Sequence, residues 1–169
     1  MEVTINREYD YSNIVPEIDK VQLLVEYCSK VYENFIKLVD EDEAKNEKIK
    51  YEFKNYTYKR HFGEEFSVTI YHEYNHVDCK NYQSFMELVS SNQVSNINRL
   101  DIELDINFKR GTGDNLETYE NKYKISFKPY DIKFIRNSNR KDEEFETIED
   151  NIKKILNVFK QQNSIFYSK

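Results

Sequence analysis

Five consecutive residues, His72-Glu73-Tyr74-Asn75-His76, have the types and spacing of a zinc-binding helical turn. On a helix, two histidines four positions apart share a face and can ligate one zinc ion, while the glutamate between them acts as general base toward a metal-bound water. His72 and His76 are therefore candidate metal ligands, and Glu73 a candidate catalytic base. The backbone decides whether this chemistry is possible. The preceding run Phe66 to Tyr71 alternates with a period of two and is β-branched or aromatic, which continues a strand more naturally than it begins a helix. On one extended strand, positions four apart lie about 13 Å from each other, too far to share an ion.

The same five residues resemble the zincin metallopeptidase signature, and the resemblance covers nothing else in the chain. It implies a zinc-dependent hydrolase, with Glu87 or Glu103 as the candidates for a third ligand. The extended form of the signature departs at Cys79 and Tyr82, where that family carries Gly and a third His, and at Asp78, where its helix carries an apolar residue. The competing reading is two histidines at a strand end in a polar loop, with no catalytic residue, no metal and no cofactor. Cys79, three residues after His76, also permits a Cys-His nucleophile pair.

A second constellation is basic and aromatic. Between Lys48 and Phe62, Lys50, Lys54, Lys59, Arg60 and His61 are interleaved with Tyr51, Phe53, Tyr56, Tyr58 and Phe62. Aromatic rings that stack on bases beside cations that meet phosphates are how sheet surfaces hold single-stranded nucleic acid. Tyr56, Tyr58, Lys59 and Arg60 are the candidate binding residues. A formal net charge of -6 opposes the sequence-independent phosphate attraction, so nucleic acid is the disfavoured partner. The alternative is a strand with a solvated lysine face and a core tyrosine face. The acidic row Asp101, Glu103 and Asp105 can hold a divalent cation, or can pair across strands with Lys122, Lys124 and Lys128. The three glycines, Gly63, Gly111 and Gly113, are too few and too scattered for a dinucleotide fingerprint or a Walker phosphate loop.

The elements that must position these residues follow from periodicity. After a candidate edge strand at Glu2 to Asn6, Pro16 suits a first helical turn. Ile18, Val21, Leu24, Val25, Cys28, Val31, Tyr32, Phe35 and Leu38 then recur at three- and four-residue steps, which predicts a long amphipathic helix. The run from Ile49 to Arg60 reads as a strand, and a hairpin turn near His61 to Glu65 leads to a second at Phe66 to Ile70. Residues 81 to 90 fit a short helix capped by Asn81 or a strand, and the pattern leaves both open. Leu100 to Phe108 alternates strictly and demands one buried and one solvated face. A turn at Gly111 to Asp114 returns the chain as Lys122 to Lys128, and Asp131 to Arg136 adds a last strand. Phe145, Ile148, Ile152, Ile155, Leu156 and Phe159 mark a C-terminal helix, and the apolar tail Ile165 to Tyr167 is expected to dock back on the domain.

Together these features predict an α+β fold in one domain spanning 1–169. An antiparallel sheet of about five strands carries the long N-terminal helix and the C-terminal helix on one face. The 14 Tyr and 11 Phe argue for a packed core despite 33% charged residues. Cys28, on the helical stripe, and Cys79, in a polar loop, read as free thiols of a soluble cytoplasmic protein. No apolar run reaches the length of a membrane span, and the first ten residues contain no secretory core segment. The best-fitting function class is a non-enzymatic module that binds another protein, of the kind of small inhibitors, immunity or accessory factors. Its partner is expected on a tyrosine-rich open sheet face.

Overall fold

The computed structural model describes residues 2–7, 18–53, 66–72, 75–91, 97–128, 131–162 and 165–168. Eight strands and three helices follow in the order β1 (Glu2–Arg7), α1 (Ile18–Lys45), β2 (Ile49–Phe53), β3 (Phe66–His72), β4 (Asn75–Cys79), α2 (Tyr82–Ser90), β5 (Ile97–Thr112), β6 (Asn115–Phe127), β7 (Asp131–Ser138), α3 (Glu143–Gln162) and β8 (Ile165–Ser168). All strands join one antiparallel sheet in the order β4-β3-β5-β6-β7-β1-β8, with β2 also paired to β5. The class is α+β as expected, and the sheet is wider than the five or so strands that alternation marks.

The strictly alternating segment becomes the centre of the sheet. Leu100, Ile102 and Leu104 of β5 pair with Phe127, Ile125 and Tyr123 of β6, and on the other side with Ile70, Val68 and Phe66 of β3. Directly paired residues point to the same face, so one unbroken apolar layer forms. Ile132 and Phe134 of β7 extend it, and Val21, Leu24, Val25 and Cys28 of α1 cover it together with Phe145, Ile148, Ile152 and Leu156 of α3. Both long helices thus lie on one face.

The β5–β6 turn is tighter than the Gly111 to Asp114 expectation. Thr112 pairs with Asn115, leaving Gly113 and Asp114 as the two-residue loop, with Gly113 at a φ of 61° where L side chains are strained. Gly111 stays in the strand for a different reason. A Cβ there would stand 1.9 Å from the Asn115 carbonyl oxygen, a distance no side chain tolerates.

Residues 81 to 90, which the pattern left open, resolve as helix. Asn81 accepts a 2.7 Å bond from the Ser84 amide as N-cap, and Phe85 is fully buried. The C-terminal tail docks as β8 on β1. Cys79 lies in β4 with its side chain buried, not in a polar loop, because its neighbour across the ladder is the core residue Val68. No helix among the described residues is long and apolar enough to cross a membrane.

Polar interactions seat α3. The Arg136 guanidinium, on the covered face of β7, meets Glu149 at 3.1 Å and Glu146 at 3.0 Å and lies over the Tyr123 ring. The Tyr123 hydroxyl donates to the Phe145 carbonyl at 2.8 Å. These contacts fix the N-terminal half of α3 against the middle of the sheet.

Candidate functional site

The zinc motif does not form a helical turn. Tyr71 pairs with His76 and His72 with Asn75, so a hairpin bend falls inside the five residues. Tyr71 and His76 share a face, with their rings 5.8 Å apart. His72, one residue on from Tyr71, points to the other side of the sheet. The two candidate ligands therefore sit on opposite faces, and the reason is neither a helix nor one continuous strand. Glu73 lies outside the described residues. Among the described residues, no three His, Cys, Asp or Glu side chains gather where they can hold a metal ion. Cys79, an odd number of residues from His76, also faces away from it. Its thiol is pushed up, first by burial and then by the Asp78 charge, the opposite of an activated nucleophile.

Tyr56, Tyr58, Lys59 and Arg60 lie outside the described residues. The start of the same segment follows the core-and-solvent pattern: Lys48 and Lys50 are exposed, while Tyr51 packs against the core.

Tyr9, Tyr11, Tyr56, Tyr58, Tyr74 and Tyr130 lie outside the described residues, and the expected tyrosine-rich sheet face opposite the helices is described at the other tyrosines alone. Among the described tyrosines, Tyr27, Tyr32, Tyr51, Tyr82 and Tyr119 pack against the core, because each falls in the apolar phase of its element. Tyr71 is the described tyrosine on the open face, beneath the Arg99 guanidinium at 5.3 Å. The acidic row is not uniformly a solvated ladder. Glu103 pairs with Lys122 at 2.7 Å, the cross-strand arrangement expected. Asp101, however, is only 6% exposed and is held by two bonds from Arg99 Nε, at 3.0 and 3.1 Å.

Asp105 departs furthest from the expectation. Its Oδ1 is buried without a hydrogen-bond partner among the described residues, and burial followed by the Glu103 charge pushes its carboxyl up to about 6 against the pull of Lys122 and Lys124. The folded chain thus holds this proton more tightly than the unfolded chain, whose aspartates titrate near 3.9. The stabilisation is fully present below about pH 4 and is lost as pH rises through about 6. Replacing Asp105 with Asn is expected to raise stability at pH 7 by about 1 kcal/mol, after allowance for solvent screening, and to leave it little changed at pH 4. Urea melts of both proteins at the two pH values check this. An equal loss of stability at both would show that the carboxylate is well solvated.

One concavity lies on the covered side, between the C-terminal half of α1, the first turns of α3 and the distal ends of β2, β5 and β6. It is an open groove with a volume of about 480 Å³, within the usual range for binding sites. Cross-strand pairing builds its floor. Phe108 of β5 is the register partner of Tyr119 of β6, and their rings stack at 4.5 Å with planes 7° apart. Phe35 of α1 packs on Phe108 at 5.0 Å, and Phe145 and Ile148 of α3 close the far wall. The Arg140 guanidinium, 4.1 Å from the Tyr119 ring centroid, holds that ring in place. Leu38, on the stripe expected to be buried, is instead 60% exposed at the lip of this groove.

One end of the groove is closed by a polar cluster assembled from three elements. Arg110 of β5 grips Asp42 of α1 with two bonds, Nε to Oδ2 at 2.6 Å and Nη2 to Oδ1 at 3.1 Å. The Tyr51 hydroxyl donates to the same Oδ2 at 2.5 Å and accepts from Arg110 Nε at 3.1 Å. The hydrogen bonds from Arg110 hold the Asp42 carboxyl below the usual carboxylate range. Burial, reinforced by Asp42, pushes the Tyr51 phenol up to about 12. At neutral pH the carboxylate stays charged and the phenol stays neutral, so neither is matched to proton transfer there. The cluster is a rigid wall whose polar groups already satisfy one another. Asp42 and Arg110 are 68 residues apart, and nothing in the local sequence around either signals the pairing.

No protein-family model, curated protein or solved structure matches this chain.

Proposed function

We propose that this is a non-enzymatic protein-binding module of the cytoplasm, in the class of small inhibitors, immunity or accessory factors, and that its partner docks in the groove between α1, α3 and the distal β5–β6 hairpin. The observation that carries this reading is the combination of an aromatic floor with polar groups already bonded to one another. The half-buried Phe35 and Tyr119 offer contact area to an apolar anchor from the partner, backed by the buried Phe108 and Phe145. Aromatic pockets of this kind are where hot-spot residues insert. The Asp42–Arg110–Tyr51 cluster adds shape without a group poised for acid–base work. An open groove also suits a partner side chain or helix better than a small molecule that must be enclosed.

The test starts from a random peptide display library panned on the full chain. Selected peptides are then titrated against the wild type and Leu38→Ser, which removes the apolar lip without adding charge. Because Leu38 is exposed, the variant is expected to melt like the wild type while losing about tenfold or more in affinity, equivalent to about 1.4 kcal/mol. Selected peptides that bind the variant and the wild type equally would place the docking surface elsewhere.

A further inference from the structure

The two lips of the groove are rich in carboxylates. The end of α1 reads Asp40-Glu41-Asp42-Glu43, and α3 opens with Glu143, Glu144 and Glu146 in its first turn. Several of these carboxylates are committed. Asp42 is held by Arg110, and Glu146 by Arg136. Glu41 and Glu144 are different: both are exposed, both line the groove from opposite lips, and neither has an ion-pair partner among the described residues. The cations among the described lining residues are Lys45 and Arg110, and Arg110 is already engaged with Asp42. With Lys45 set against Glu41 and Glu144, the mouth keeps an excess of one negative charge around an aromatic floor.

Resting on the docking reading above, we infer that the groove takes a basic polypeptide segment: an apolar side chain seated on Phe35, Phe108 and Tyr119, flanked by Lys or Arg that reach Glu41 and Glu144. Complementary charge at the rim of an interface sets partner choice and association rate more than total affinity. Like charge at the same positions repels. An acidic segment with the same anchor is rejected on this account. The aliphatic stems of Lys and Arg also lie well along aromatic and aliphatic lips such as Leu38 while their charged ends stay in water.

Three synthetic peptides separate the anchor from the charge. One has a central Phe-Leu pair flanked by lysines, the second carries glutamates in place of the lysines, and the third keeps the lysines but has serines for Phe-Leu. Each is titrated by fluorescence anisotropy and by chemical-shift mapping against the wild-type chain and the double variant Glu41→Gln/Glu144→Gln, whose changes lie at exposed positions. The Lys-flanked peptide is expected to shift the Phe35, Phe108 and Tyr119 resonances and to bind about tenfold or more tighter than the Glu-flanked one. That preference is expected to fall about fivefold in the double variant, and to shrink between ~50 mM and ~300 mM salt. The serine peptide is expected to leave the groove resonances unmoved. Equal binding of the Lys- and Glu-flanked peptides in the groove would overturn the basic-segment inference and leave the docking surface standing. If neither anchored peptide shifts the groove resonances, the docking reading fails and the inference fails with it.

Discussion

Replacing Glu149 with Ala is expected to destabilise the folded chain by about 3 kcal/mol, because it leaves the Arg136 guanidinium in a buried site with its better-shielded partner removed. Both side chains are only 6% exposed and meet at 3.1 Å. The remaining partner, Glu146, is 43% exposed, so its charge is screened and compensates only in part. Removing both ends tells the two contributions apart. The double substitution Arg136→Met and Glu149→Leu takes the charges away together and is expected to be neutral or mildly stabilising, since a buried pair repays little more than its own desolvation. Denaturant melts of the two proteins decide this. A loss below about 1 kcal/mol for Glu149→Ala would show that the pair is solvated and that α3 is seated by apolar packing alone.

The second large effect is in the sheet. Phe134 of β7 is fully buried and opposes Ile125 of β6, so Phe134→Ala is expected to cost about 3 to 5 kcal/mol through lost apolar burial and the cavity left behind. Leu38→Ala, one of the same chemical kind but at an exposed site, is expected to change stability by less than about 0.5 kcal/mol. Urea melts of the two variants compare a core position with a groove lip directly. If Leu38→Ala proves as costly as a core truncation, Leu38 is buried in solution and the groove is closed.

The contrast between these positions marks where periodicity stops being informative. Strict alternation from Leu100 to Phe108 places Leu100, Ile102, Leu104, Ile106 and Phe108 in the core, because a strand with one buried face leaves no other pattern, whereas the buried Ile97 lies before that run and out of its phase. The stripe of α1 is equally clear at Val21, Leu24, Val25 and Cys28. It fails at Leu38, since a helix can carry an apolar residue past the edge of its core without changing its spacing. The edge strands were the least visible elements. In Asn75–Cys79 only Val77 and Cys79 are apolar, so the segment looks polar although Cys79 is buried. Polar and charged side chains on an edge strand discourage pairing with another chain, which keeps its apolar content low.

The candidate site was less legible than the fold. The five-residue zinc pattern is a local string, and a hairpin within it sends its two histidines to opposite faces. The groove is the reverse case. Its floor joins Phe35, Phe108, Tyr119 and Phe145 from four elements, and its closing cluster joins Tyr51, Asp42 and Arg110 from three. Each of these residues has an ordinary local explanation as helix stripe, strand core or solvated charge. The register of β5 with β6 and β2, together with the packing of α1 and α3 on the sheet, brings them together. Asp101 and Asp105 show the same limit, since alternation assigns a residue to a face and does not say how deeply that face is covered.

The most direct test of the groove as the docking surface is chemical-shift mapping of a display-selected peptide titrated into the isotope-labelled chain. The account predicts that the shifted resonances cluster on Phe35, Phe108, Tyr119 and Phe145, with the open sheet face around Tyr71, Arg99 and Lys124 unchanged. Shifts confined to Tyr71, Arg99 and Lys124, with the groove resonances unmoved, would contradict it and return the partner to the open face.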